Sequence, residues 1–199
     1  MSGSSAVDRD ASGTVAQEVP DCIVCGSGQR HPHLRAPNRF NVGEVFPLVQ
    51  CSQCGFVYLS PRPSQESIGS HYEDEGYHPH QAEAAGVVDR IYRISRDWNL
   101  RYKRWMVESH HRKGALLDFG CGTGEFLAEM RANGWQVTGV EPAAQARAVA
   151  EGLGVRASAD LEGCDGPYDV ITLWHVLEHV HEAAGQFRRL CELLTPGGI

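Results

Sequence analysis

Short apolar runs alternate with segments of helical period over the second half of the chain. Leu116-Leu117 and Phe119 bracket a single acid, Asp118. Trp135–Glu141 and Tyr168–His175 are two further runs, each bounded by turn residues. Runs of this length between turns read as buried parallel strands. Between the first two, Phe126, Leu127 and Met130 mark one helix face that Asn133-Gly134 ends. Helices from about 143 to 153 and 182 to 194 follow, and Gly154 leads into a short strand near 155–157. Strand–helix alternation of this kind predicts an α/β fold with a doubly wound parallel sheet. Upstream, Val87, Ile91, Ile94, Trp98, Tyr102 and Trp105 recur at spacings of three and four. They predict a helix from Val87 to His110 with these residues near one face. Arg90, Arg93, Arg96, Arg101, Lys103 and Arg104 then decorate the rest as a solvated basic face, or as a contact for an anionic substrate. Phe46–Gln50 and Phe56–Leu59 read as two shorter strands.

Four stretches differ in character. Residues 1–19 are rich in Ser, Ala, Gly and acid and read as a disordered tail. Residues 20–60 carry paired cysteines. Residues 61–112 form a helical lead-in, and 113–199 the α/β domain. Ser60-Pro61-Arg62-Pro63-Ser64 separates the second from the third, with Ser64 capping a short helix around Ser67 and Ile68. His71-Tyr72 and Tyr77-His78 then lie in an acidic stretch, read as a surface loop or as a lid over a ligand.

Between the first strand and its helix lies Asp118-Phe119-Gly120-Cys121-Gly122-Thr123-Gly124. A strand, a glycine-rich turn and a helix open a nucleotide-binding unit. A dinucleotide fingerprint wants a third glycine where this chain has Glu125. Asp118 would also repel a pyrophosphate. S-adenosylmethionine carries no phosphate, but a sulfonium and an ammonium, which a carboxylate suits. Glu141 ends the second strand, where an acid accepts both ribose hydroxyls of an adenosine. Asp160 stands after the third strand, a candidate for the adenine amine or a solvated loop acid.

Cys22-x-x-Cys25-Gly26 is answered by Cys51-x-x-Cys54-Gly55. Each pair forms a tight knuckle, and two knuckles supply four thiolates for a tetrahedral structural Zn2+. Disulfides or a redox dithiol are the rival readings. A closed four-cysteine site leaves no open position for chemistry, so its role is structure or substrate docking.

Net charge is −7, which disfavours non-specific nucleic acid and anionic membrane as partners. No apolar run approaches the roughly 20 residues that span a bilayer. The N-terminus lacks an apolar signal core. The expectation is a cytoplasmic protein whose seven cysteines are ligands or buried thiols.

Together, Leu117–Gly124, Val140-Glu141-Pro142, Tyr168–Ile171 and Leu194-Thr195-Pro196-Gly197-Gly198 resemble the motifs of class I S-adenosylmethionine-dependent methyltransferases. The resemblance covers about 87–199 and implies a Rossmann-like sheet of strand order 3-2-1-4, with three later family strands missing. It assigns Asp118, Gly120, Cys121, Gly122, Gly124, Glu141, Pro142, Asp160 and His175 to the cofactor. The cysteine pairs with Phe56–Pro63 resemble a subgroup bearing an N-terminal zinc ribbon, with relatives among sugar C-methyltransferases. A sugar, nucleotide-sugar or secondary metabolite is the implied methyl acceptor.

His175-Val176-Leu177-Glu178-His179 spells a zinc-peptidase string, but that chemistry needs both histidines on one helix face. The stretch instead resembles the segment after motif IV of ubiquinone-type O-methyltransferases, whose Glu-His is associated with a divalent metal. His175 and His179 are the candidate bases for a hydroxyl or C–H acceptor. A non-catalytic zinc-ribbon interaction module with a truncated methyltransferase-like domain, and an NAD-dependent oxidoreductase or epimerase, are the alternative functions. Since Tyr168–Trp174 would be a central strand, its outer edge is expected to lack a partner, as in an incomplete copy of a longer protein with reduced activity.

Overall fold

The computed structural model describes residues 16–37, 45–64 and 87–199. The chain divides into two compact units, residues 1–81 and 82–199. The short helix expected around Ser67 and the tyrosine-bearing segment around 71–78 lie outside the described residues.

In the first unit, strands β2 (Arg30–Pro37), β3 (Val45–Cys51) and β4 (Val57–Leu59) form an antiparallel sheet in that order. A second, two-stranded sheet pairs β1 (Ala16–Gln17) with β5 (Arg62–Pro63). Val19, Cys22, Cys51 and Tyr58 make its small core, with Ile23 and Val49 packed against it. Polar groups fasten its edge. The Arg30 guanidinium donates to the Val19 carbonyl and, at 2.9 Å, to Glu18. Ser60 Oγ donates to Glu18 at 3.0 Å and accepts from the Val19 amide at 3.1 Å.

In the second unit, helix α1 (Val87–His110) precedes β6 (Ala115–Phe119), α2 (Glu125–Ala132), β7 (Gln136–Val140), α3 (Ala144–Gly152) and β8 (Arg156–Ser158). Strand β9 (Val170–Thr172) and helix α4 (Ala183–Glu192) complete it. The four strands form a parallel sheet, β8-β7-β6-β9. Side chains alternate across it. Leu116 packs with Val107, Phe126, Leu127, Met130, Trp135 and Ala150, whereas Leu117 packs with Val140, Leu161, Tyr168, Leu190 and Leu193. Both faces are thus buried, which explains why the strands read as apolar runs.

Two expectations need correction. The chain's fold class is not one doubly wound parallel sheet of order 3-2-1-4 behind a ribbon. Its nine described strands fall into three sheets, and the two sheets of the first unit are antiparallel. Strand β2 was illegible because Arg30-His31-Pro32-His33-Leu34-Arg35-Ala36-Pro37 has no apolar alternation. It exists because its backbone groups pair with those of β3, with a register shift between Pro32 and Leu34. The second correction concerns the outer edge of the fourth strand. The Tyr168 amide donates to Leu193 O at 2.7 Å, Thr195 N to Tyr168 O at 2.8 Å and Ile199 N to Asp169 O at 3.1 Å. Ile171 N donates in turn to Ile199 O at 2.8 Å. The segment after α4 therefore meets that edge at residues 168–171, while β9 stays the outermost strand of the sheet.

Candidate functional site

Every candidate ligand-binding residue of the second unit lies at or beyond the carboxyl end of a parallel strand, where loops of such sheets bind ligands. Strand β6 places Asp118 in register with Thr172 of β9. The Thr172 hydroxyl donates to Asp118 Oδ1 at 2.7 Å, and Asp118 is only 3% exposed. Burial pushes its carboxyl up to about 7, opposed by the Thr172 hydroxyl and the Lys103 ammonium.

The glycine loop is tied down at both ends. Gly120 N and Cys121 N both donate to the Val140 carbonyl, at 2.7 and 3.0 Å. Gly124 has φ +77°, and a Cβ there would lie 2.7 Å from that of Ala150, so the helix α2 start sits close on α3. Gly122 also has a left-handed φ, +54°, but a Cβ there would meet nothing within 4 Å. Gly122 is thus the loop glycine that faces open space, while Gly120 sits against Val176. The Glu141 carboxylate holds the loop from the neighbouring strand end. Its Oε2 accepts from Gly122 N at 3.0 Å, and its Oε1 from Ala143 N at 2.9 Å. The Pro142 carbonyl accepts from Arg147 at 2.7 Å. The Cys121 thiol is buried against Gly139. Burial and the Asp118 and Glu141 charges push it up to about 12, so it is a neutral packing group.

Asp160 caps a short 3-10 turn, accepting from Glu162 N at 3.1 Å and Gly163 N at 3.3 Å. His175 has φ 58°, and its side chain is 90% exposed, 3.8 Å from Glu178. His179 ends the 3-10 turn Leu177–His179. The H-x-x-E-H string therefore straddles a bend and a single 3-10 turn instead of one helix face. Among the described residues it does not gather as a metal-binding group.

Lys103 is the site residue that the sequence concealed. Read as one of a solvated basic set, it turns inward from α1. Its ammonium lies 4.7 Å from the Trp174 ring and 5.9 Å from the Phe126 ring, which meet edge to face at 5.6 Å. Burial lowers its pKa, and the Asp118 charge opposes that. Period-3.6 reading could have flagged it, since Lys103 sits four residues before the buried Val107.

In the first unit, both cysteine knuckles share one geometry. Gly26 N donates to Cys22 O at 2.8 Å and Gly55 N to Cys51 O at 3.0 Å, with φ +73° and +78° at the glycines. All four Sγ atoms lie within 4.8 Å of one another, with Cys22–Cys54 and Cys25–Cys51 at 3.6 Å. No disulfide joins them. A tetrahedron of thiolates about 2.3 Å from a metal has edges of about 3.8 Å. The donor set therefore fits a four-coordinate soft cation. Backbone N–H groups of Cys54 and then Gln53, with the neighbouring thiols, pull Cys51 down to about 6 against its burial.

A family model described as a methyltransferase domain matches residues 90–199, and the chain belongs to that family. The cysteine cluster lies outside the matched residues. Over 106 residues the chain is 34% identical to a ubiquinone biosynthesis O-methyltransferase of Burkholderia vietnamiensis, covering 47% of this chain and 46% of the relative. A protein of the same description from Caulobacter vibrioides is 38% identical over 97 residues, 42% of this chain and 38% of the relative. The chain spans less than half the length of these curated relatives. Among solved structures, an amino pentose methyltransferase from Micromonospora echinaspora matches at 25% identity and TM-score 0.46, covering 60% of this chain and 56% of that one. Among the described residues no helix is long and apolar enough to cross a membrane.

Proposed function

We propose that this chain binds S-adenosylmethionine at the carboxyl edge of its parallel sheet and serves methyl transfer to a small-molecule acceptor. The observation that carries this reading is the pairing of a buried acid, Asp118, with a glycine loop whose open residue, Gly122, is held by Glu141. When bound, the cofactor supplies a methyl group activated by its sulfonium. The chain's own residues bind, orient and exclude water. Asp118, partly ionised near pH 7, would be drawn to its charged form by a cationic ligand, and Glu141 retains lone pairs for ribose hydroxyls beyond its two backbone donors. Gly120, Cys121, Gly124 and Pro142 shape the loop, and Asp160 borders the adenine end. His175 and His179 stand at the rim of the fourth strand, where a base would take an acceptor's proton. The relatives' names support a quinone-type phenol, a sugar or a secondary metabolite as acceptor.

The four cysteines hold a structural Zn2+ in this reading, and the free thiols suit a reducing compartment such as the cytoplasm. Calorimetric titration with S-adenosylhomocysteine and with NAD tests the first part. Saturable binding of S-adenosylhomocysteine alone is expected; binding of NAD alone, or of neither, would refute it. Metal analysis of protein purified without chelator tests the second, with one zinc per chain expected and none contradicting it.

A further inference from the structure

Helix α1 has two apolar faces. Leu100 and Val107 turn toward the sheet. On the opposite side, Ile94, Trp98, Tyr102 and Trp105 stand 61%, 67%, 44% and 62% exposed. Trp98 and Tyr102 stack at 5.6 Å, and Tyr102 and Trp105 meet at 5.8 Å, forming one continuous strip. A helix normally turns charged residues to solvent, so two tryptophans, a tyrosine and an isoleucine there mark a contact surface.

The spacing suits a helical partner. Ile94, Trp98, Arg101 and Trp105 follow steps of four, three and four, the repeat of a helix-pairing seam. We propose that this face pairs with the same face of a second copy of the chain, with the two α1 helices antiparallel about a two-fold axis between Asn99 and Leu100. In that register Ile94 of one copy meets Trp105 of the other, twice. Arg101, exposed in the single chain, lies over Trp98 of the second copy, a cation–π contact made twice by symmetry. A parallel pairing would set Arg101 against Arg101 and lose the cation–π contacts.

The area is sufficient. At about 150–250 Å² per aromatic side chain, the three rings present on the order of 350–400 Å² per copy, and Ile94 adds roughly 100 Å². Pairing would bury roughly 900–1,000 Å² of apolar surface. That is the apolar share of a standard interface of about 1,600 Å².

Sedimentation velocity of the full chain from about 1 to 100 μM, the range over which modest interfaces dissociate, should show a concentration-dependent dimer. Trp98→Glu with Trp105→Glu should abolish it while leaving far-ultraviolet circular dichroism unchanged and melting close to that of the wild-type chain diluted to monomer, since both positions are exposed. Arg101→Glu should weaken dimerisation by at least about tenfold. With p-benzoylphenylalanine in place of Ile94, irradiation should join it to the segment around Trp105 of a second copy. A monomer throughout that range, a dimer indifferent to the double substitution, or cross-links confined to the segment around residue 94 would each overturn the proposal.

Discussion

Asp118 ties the sheet, the candidate site and the protein's response to pH together. It is 3% exposed, and its carboxyl is pushed up to about 7 by burial. An unfolded aspartate ionises near 3.9. The folded state therefore holds the proton more tightly, and between about pH 4 and 7 it binds more protons than the unfolded state. Stability contributed by this group is fully present below about pH 4 and is lost as pH rises toward 7. At about 1.36 kcal/mol per pH unit over roughly three units, the loss amounts to about 4 kcal/mol at most. Other groups titrate in the same interval, so the informative quantity is a difference. Asp118→Asn keeps the shape and the acceptor for Thr172 but cannot ionise. Urea unfolding of both proteins at pH 4.5, 5.5, 6.5 and 7.5, followed by tryptophan fluorescence, isolates the effect. The substituted protein should gain relative stability from pH 4.5 to about 7, by up to about 3 kcal/mol, and level off above that. A difference that stays flat within about 1 kcal/mol would show that Asp118 ionises normally and that the burial argument fails.

Four further outcomes follow from the same geometry. Thr172→Val removes the 2.7 Å hydroxyl donor that stabilises the Asp118 carboxylate, so the midpoint of the pH-dependent difference should move upward. Gly124→Ala introduces a Cβ 2.7 Å from Ala150 at φ +77° and should cost about 1–3 kcal/mol in urea unfolding. Gly122→Ala has only the backbone strain to bear, about 1–2 kcal/mol, and should reduce S-adenosylhomocysteine affinity more than Gly124→Ala does at matched stability. Glu141→Ala removes the acceptor of the Gly122 and Ala143 amides, and calorimetric affinity for S-adenosylhomocysteine should fall by up to about 1.5–3 kcal/mol per lost charged hydrogen bond.

The sequence determined the features that depend on local chemistry. Leu116, Leu117 and Val170 had to be buried, because apolar runs between turns have no other stable place. The loop of Gly120, Gly122 and Gly124 was legible because left-handed backbone there demands glycine. The cysteine spacing announced two knuckles, because each needs only its own turn. Other features arose only when distant segments met. Strand β2 has no pattern of its own and exists through its pairing with β3. The edge at residues 168–171 is met because the backbone of residues 193–199 reaches it, which no apolar pattern encodes. Helix α1 showed one apolar face in the sequence. The tertiary structure decided that Ile94, Trp98, Tyr102 and Trp105 meet solvent and that Lys103 turns inward over Trp174, because the sheet accepts the side bearing Leu100 and Val107. Glu141 was readable as an acid at a strand end. That it holds Gly122 depends on β7 lying beside β6, a register set by the whole sheet.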